Sequence, residues 1–397
     1  MRIAHLSTMT GFYGGEVCLT SVATGMRERG HDVACVVKPD SQLSWRLAQE
    51  GIPVFTLPLV DWFEPLSISR LTWWLRRQRI EILHTHLPRD YFIAAVATLG
   101  TNICNVGSRH HLLPISQPSV KRPFLSRFQA LISVSEAVRR SLIRSRVMDP
   151  TRLVTVHNGI DVPLGSNGSA DVPGLRTIAG VSADAPVIGC VGRLCPAKGI
   201  ETLLAAAGLL RPRWPGLKVL LVGDEQGSGE YTEHLRLLID QRGLDETVVF
   251  TGYVDGAAAL AAELDVQVVC SRAEPFGMVT LEAMSNAVPV VVTDSGGSPE
   301  IVRDGVDGYL VPPGDAEVLA LRLDLLLGDL ELRRRLGMQG RQRVQREFTR
   351  RRMIDHTEAV YRWVLAGARR GEPVEAACLP PPQRATIERR AGTSTSS

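Results

Sequence analysis

Glu274 and Glu282 stand eight positions apart in EPFGMVTLEAMSNAVPVVVTDSGGSPE, residues 274 to 300. An apolar run at Val266 to Cys270 precedes them and another follows at Pro289 to Val292, with a helical pattern at Thr280 to Asn286 between. Glu274 is therefore expected just past the carboxyl end of a buried parallel strand, where open α/β sheets bind ligands. Glu282 is expected on the following helix, able to point back to the same crevice if that helix starts there. The Pro275, Phe276, Gly277 turn presents backbone N–H groups to an anion or a sugar hydroxyl. A solvated loop carrying ordinary surface acids is the other reading. The crowding of Gly277, Gly296, Gly297 and Glu300 around short buried strands argues against it.

Arg193 and Lys198 form a second constellation. The strand pattern Val187 to Val191 runs into GRLCPAKG, and a helix is predicted over Ile200 to Leu210, so both cations lie between a strand exit and a helix N-terminus. Two cations and a helix end at one spot make a diphosphate-type anion site. Tyr253 and Val254 follow the strand Val248 to Gly252, where a base can stack or meet main-chain groups. Histidines close two neighbouring strands, His84 and His86 on one and His110 and His111 after the next. A zinc site needs three converging protein ligands, and these lack a local carboxylate set, so no metal is expected. His110 is chosen to face the cleft, whereas His86 and His111 can each satisfy a backbone carbonyl.

These residues need strands ending together. Arg2 to Ser7, a loop with Gly11, Gly14 and Gly15, a helix from about Glu16 to Arg29, and Asp32 to Val37 form an opening βαβ unit. The glycines do not fit the dinucleotide fingerprint, yet the Gly14 and Gly15 amides suit a phosphate or sugar phosphate. Strands recur near Val54, Ile82, Asn105, Ala130 and Leu153. His111 to Phe124 reads as a mobile polar loop on the acceptor side. Leu66 to Arg79 reads as an amphipathic helix, with Trp73 and Trp74 facing the core and arginines outward; with Trp62 and Phe63 before it, a peripheral membrane contact is the competing reading. Pro163 to Ala179 is a Gly/Ser/Pro-rich connection, giving domains at 1–168 and 182–350. Residues 351–366 are expected to form a helix crossing back to the first domain, and 367–397 a disordered tail.

Composition limits the function classes. The chain has 397 residues, 22% charged and 44% hydrophobic, with a formal charge of +3. That length suits two domains, and the charge gives no electrostatic case for nucleic acid. Seven cysteines without metal spacing read as small buried hydrophobes in a reducing, cytoplasmic setting. No leader and no stretch long enough to span a membrane is read in the sequence. The oligomeric state is left open.

GFYGGE at Gly11 to Glu16, HNGID at His157 to Asp161, GRLCPAKG at Gly192 to Gly199, EPFGMVTLEA at Glu274 to Ala283 and GGSPE at Gly296 to Glu300 occur in one order along the chain. In these pieces it resembles a retaining, metal-independent glycosyltransferase of the family 4 type, up to about residue 366. The resemblance implies an α/β GT-B fold, two Rossmann-like domains facing across a cleft, and no cofactor. It implies a nucleoside-diphosphate sugar donor, UDP favoured and GDP next, and a small-molecule or lipid-linked hydroxyl acceptor. Hexosyl or N-acetylhexosaminyl transfer is the implied reaction. By the same resemblance Glu274 holds donor-sugar hydroxyls, Glu282 the ribose, and Arg193 and Lys198 the diphosphate. The amides of Phe276, Gly277, Met278 and Val279 contact sugar and distal phosphate, Gly15 closes from the other domain, and His110 lies near the reaction centre. The SRHH context departs from the family pattern and leaves His110 and His111 both open. A nucleotide-sugar epimerase, a transferase using a nucleotide-activated cyclitol, and a non-catalytic nucleotide-sugar sensor are the competing classes.

Overall fold

The computed structural model describes residues 1–59, 64–113, 115, 118–162, 174–254, 256 and 260–367. Trp62, Phe63 and nearly all of the expected tail lie outside the described residues. The chain forms two compact units, one of Met1–Asn158 with the chain from Arg350 onward, the other of Gly159–Thr349. The division thus falls ahead of the Gly/Ser/Pro-rich connection.

In the first unit, seven parallel strands lie in the order β3-β2-β1-β4-β5-β6-β7. They are β1 Arg2–Ser7, β2 Asp32–Val37, β3 Val54–Thr56, β4 Ile82–Thr85, β5 Cys104–Arg109, β6 Phe128–Ser133 and β7 Leu153–Thr155. Helices α1 Gly14–Glu28, α2 Gln42–Gln49, α3 Pro65–Arg77, α4 Asp90–Ala97, α5 Pro118–Leu125 and α6 Glu136–Ser145 connect them. The strands are apolar nearly throughout because helices cover both faces of a parallel sheet. The final helix, Arg350–Leu365, packs Met353, Ile354, Val360, Tyr361 and Val364 into the core that also holds Leu19, Val22 and Met26 of α1. Gly25 lets the two helices touch: a Cβ there would lie 2.0 Å from the Ile354 side chain.

The second unit holds six parallel strands in the order β10-β9-β8-β11-β12-β13. They are β8 Val187–Val191, β9 Lys218–Val222, β10 Val248–Gly252, β11 Val266–Val269, β12 Val290–Thr293 and β13 Tyr309–Val311. Helices include α7 Leu175–Ile178, α8 Ile200–Leu210, α9 Glu230–Gln241 and, beyond these, Met278–Ser285, Ser298–Ile301, Ala316–Gly328 and Leu330–Glu347. β13 has no signal in the sequence, since three residues between turn sequences carry too little periodicity.

Three sequence expectations change. Gly14 and Gly15 lie in the first turn of α1, because the Glu16 carboxylate accepts the Tyr13 N–H at 3.2 Å and starts the helix early. The stretch expected as a polar loop contains α5, with Pro123 inside it, a residue that ordinarily argues against helix. The paired tryptophans divide: Trp74, 8% exposed, stacks on Phe55 at 5.0 Å, whereas Trp73 is 59% exposed, because neighbours on a helix point about 100° apart.

His5, His84 and His86 are buried at adjoining strand ends. Burial pushes His5 down to about 3 and holds His84 and His86 well below the ordinary histidine range. In the unfolded chain each titrates near about 6.5. Their contribution to stability is therefore complete above that pH and is lost as pH falls, because the unfolded chain takes up protons that the folded chain refuses. Urea unfolding is expected to show stability dropping steadily from pH 7 to pH 5; a flat profile would remove these histidines from the acid response.

Candidate functional site

The strand order of the second unit reverses between β8 and β11, so the loops leaving these neighbours part and open a crevice at their carboxyl ends. After β8 the chain makes a short 3-10 turn, Pro196–Lys198, and enters α8 through Gly199 at φ 61°. A Cβ on Gly199 would lie 2.3 Å from the Cys270 carbonyl oxygen, so only glycine lets this turn sit against the end of β11. The contact sets Lys198 beside the loop that carries Glu274.

Lys198 Nζ lies 2.9 Å from Glu274 Oε2, and Ser271 Oγ donates to the same oxygen at 2.8 Å. Glu274 is 7% exposed. Burial works against charge on Lys198, but the Glu274 carboxylate outweighs it and lifts the lysine above its ordinary range. The Glu274 carbonyl accepts the Gly297 N–H at 2.8 Å, and the Ser271 carbonyl accepts the hydroxyls of Thr293 at 2.6 Å and Ser295 at 3.1 Å. Loops after β8, β11 and β12 thus hold one carboxylate in one orientation. Both side-chain bonds fall on Oε2, and Oε1 makes none among the described residues.

Gly277, at φ 116°, turns the chain into the helix Met278–Ser285, which has no side-chain N-cap. Its first-turn N–H groups, those of Met278 and Val279, have no acceptor within the helix and are dipole-favoured anion donors. The Phe276 ring is buried and meets Phe348 edge-on at 6.0 Å, anchoring the turn from below. Arg343 also supports the site: it donates to the carbonyls of Ile301 at 2.6 Å and Glu300 at 2.9 Å, fixing the end of Ser298–Ile301. No spacing in the sequence links residues 300 and 343.

Glu282 lies on the second turn of its helix, largely buried, and its carboxylate has no hydrogen bond among the described residues. Burial raises its pKa to about 6. Because the folded value exceeds the unfolded one, ionised Glu282 costs the fold about 2 kcal/mol above pH 6, and nothing once pH is low enough to protonate both states. Glu282→Gln is expected to raise the unfolding temperature at pH 8 and leave it unchanged near pH 4, as read by calorimetry. Arg193 is exposed and makes no ion pair among the described residues. Tyr253 is 69% exposed and Val254 partly so, at the exit of β10, two strands from β8.

The first unit reverses its strand order between β1 and β4. The exits of β1, β4 and β5 gather Gly14, Gly15, His86 and His110. A Cβ on Gly15 would lie 3.8 Å from the His110 ring, and His110 stacks on His86 with centroids 5.9 Å apart. His110 is mostly buried with Nε2 unpartnered among the described residues, and burial drives its pKa down to about 4, so the ring is neutral at pH 7. His111 is exposed. Among the described residues His86 meets no backbone carbonyl: its Nε2 pairs with His5 Nδ1 at 3.0 Å, a partner in a strand 81 residues earlier. His84 spends Nδ1 on the Tyr361 hydroxyl at 2.6 Å and Nε2 on Ser108 at 2.9 Å. The ligand nitrogens of His5, His84 and His86 lie within 4.8 Å of one another; His5 and His86 are bonded to each other, and the His84 ring packs on both, with centroids 5.3 Å and 4.3 Å away. Asp90, also buried, accepts from Thr8 Oγ1 at 2.6 Å and Thr8 N at 3.1 Å, which fastens the loop after β1.

Two Rossmann-like units make a GT-B fold, and the chain belongs to the family 4 glycosyltransferases. Residues 174–343 match the model for glycosyl transferases group 1, and residues 12–163 match that for glycosyltransferase family 4. The chain is 31% identical over 311 residues to alpha-maltose-1-phosphate synthase of Mycolicibacterium smegmatis, covering 72% of this chain and 79% of that protein. It is 28% identical over 390 residues to N-acetyl-alpha-D-glucosaminyl L-malate synthase of Bacillus anthracis, covering 90% and 96%. Among solved structures, Anabaena Alr3699/HepE in complex with UDP-glucose superposes with a TM-score of 0.82 at 25% identity, over 91% of this chain and 99% of that one. No helix among the described residues is long and apolar enough to cross a membrane.

Proposed function

We propose that the protein transfers a hexosyl or N-acetylhexosaminyl group from a nucleoside-diphosphate sugar, UDP favoured, to a hydroxyl acceptor, with retention at the anomeric carbon and without a metal, in the cytoplasm. The observation that carries this reading is the Lys198 and Glu274 pair at the switch point, beside the uncapped helix start at Met278. Breaking the bond from C1 to the diphosphate leaves negative charge on the departing oxygen. Lys198 and Arg193 neutralise that charge, and fixed cations aimed at a developing anion lower the barrier without a Lewis acid. The amides of Phe276, Gly277, Met278 and Val279 take the distal phosphate and sugar. Glu274 accepts sugar hydroxyls through Oε1, while Lys198 and Ser271 hold Oε2. Glu282 accepts from the ribose, and Tyr253 and Val254 meet the base.

In the first unit, neutral His110 and the amides of Gly14 and Gly15 serve the sugar and acceptor side. A neutral imidazole accepts or donates one hydrogen bond to a sugar hydroxyl without adding charge beside a cationic sugar. Same-face attack follows, with the leaving phosphate taking the acceptor's proton. The two relatives named for a sugar phosphate and a sugar malate product, and the neighbour solved with UDP-glucose, support a nucleotide-sugar donor and a small acceptor.

The test is a donor and acceptor screen with UDP- and GDP-sugars, read by NMR for the product's anomeric configuration, with and without EDTA. A retained product whose rate survives chelation is expected. An inverted product, or a rate lost to EDTA and restored by metal, would overturn the mechanism. Epimerised sugar appearing with donor alone would overturn the transferase assignment.

A further inference from the structure

We propose that α3 is a docking surface for an anionic phospholipid membrane. The stripe Leu66, Ser69, Arg70, Trp73, Arg76, Arg77 follows helical spacing along one exposed face. Leu66 is 79% exposed, and Trp73 contributes nothing to the core that Trp74 fills. The Arg77 guanidinium lies 5.4 Å from the Trp73 ring centroid. Beside the stripe runs an open groove of about 690 Å³, floored by Ile68 and Val96 and edged by Trp73, Arg76 and Arg77. Thr72 ties α3 to the end of α4 by donating to the Ala97 carbonyl at 2.9 Å, and the next turn exposes Leu99.

Charge decides the occupant. No acidic residue stands between Leu66 and Arg77, and the described acids nearest in the sequence, Glu64 and Glu81, lie beyond the two ends of the helix. Arginines interleaved with an amphipathic ring and an exposed leucine match a layer that is anionic at its surface and apolar just beneath. Trp73 sits at the depth of the headgroups, Leu66 and the groove take acyl carbon, and Arg70, Arg76 and Arg77 pair with lipid phosphates. A second copy of the chain fits poorly, because a two-fold contact would set this acid-free, arginine-rich stripe against itself. α3 lies in the connection from β3 to the parallel strand β4, so its Leu66 end is directed toward the carboxyl ends of the strands, where Gly14, Gly15 and His110 stand.

The experiment uses the full chain with vesicles of phosphatidylcholine alone or mixed with phosphatidylglycerol, read by co-sedimentation and by sedimentation velocity without lipid. It needs no transferase activity. Binding to the phosphatidylglycerol vesicles alone, released by salt, is expected. Replacing Arg76 and Arg77 by glutamate should cut the bound fraction by about tenfold, and Trp73→Ser by about fivefold. All three side chains are exposed, so the variants should fold, which circular dichroism verifies. No binding to either vesicle, binding indifferent to these substitutions, or a dimer lost on Trp73→Ser without lipid binding would each overturn the proposal.

Discussion

Purified Lys198→Ala is expected to transfer sugar about 30-fold to 1,000-fold more slowly than the parent, with an unchanged circular dichroism spectrum. Loss of one preorganised charge at a developing anion costs about 2 to 4 kcal/mol in the transition state. Lys198 is well set for that role because the Glu274 carboxylate at 2.9 Å keeps it charged in spite of burial. Removing it also leaves buried Glu274 with Ser271 as its one side-chain partner among the described residues, which should disturb the oxygen proposed to bind the sugar. Arg193→Ala should lower the rate less, since an exposed guanidinium acts through water. Steady-state kinetics of both variants measure the difference; parental turnover in folded Lys198→Ala would refute the assignment of the diphosphate to this turn.

The second large effect separates the two glutamates. Glu274→Gln is expected to slow transfer while leaving the affinity for free nucleoside diphosphate nearly unchanged, because Glu274 addresses the sugar. Glu282→Ala should weaken that affinity about tenfold or more, the worth of a charge-assisted hydrogen bond to ribose. Glu282 also imposes a pH signature. Its carboxyl titrates near about 6 in the unliganded chain, so affinity should fall as pH drops through that value. The Glu282→Ala variant should lose this dependence, and Glu274→Gln should keep it. Calorimetric titration with UDP, GDP and intact donor reads all of this. Equal losses of nucleotide affinity in the two variants would exchange or abolish the roles.

The family match, the alternation of strands and helices, and the positions of Arg193, Lys198, Glu274 and Glu282 relative to their strand exits were all legible in the sequence. They are local properties. Buried parallel strands must be apolar on both faces, Gly277 and Gly199 mark positive φ, and a strand followed by a helix fixes where a side chain emerges. The helix Ile200 to Leu210 was likewise readable to the residue, because its apolar pattern starts immediately after Gly199.

What tertiary structure alone decided is which of these exits touch. The sheet order places β8 against β11, and that adjacency converts a lysine and a glutamate 76 residues apart into an ion pair. The same holds for His86 and His5, for Ser271 as the second support of Glu274, and for Arg343 beneath residues 300 and 301, none of which has a spacing signal. His110 separates from His111 only because Gly15 and His86 close over one ring and leave the other to solvent. Trp73 and Trp74 part for a similar reason: one helix face lies against Phe55, and the other leaves Trp73 59% exposed beside the arginine one turn on. Local pattern prescribes where the chain turns, whereas burial, partner and pKa depend on neighbours distant in sequence.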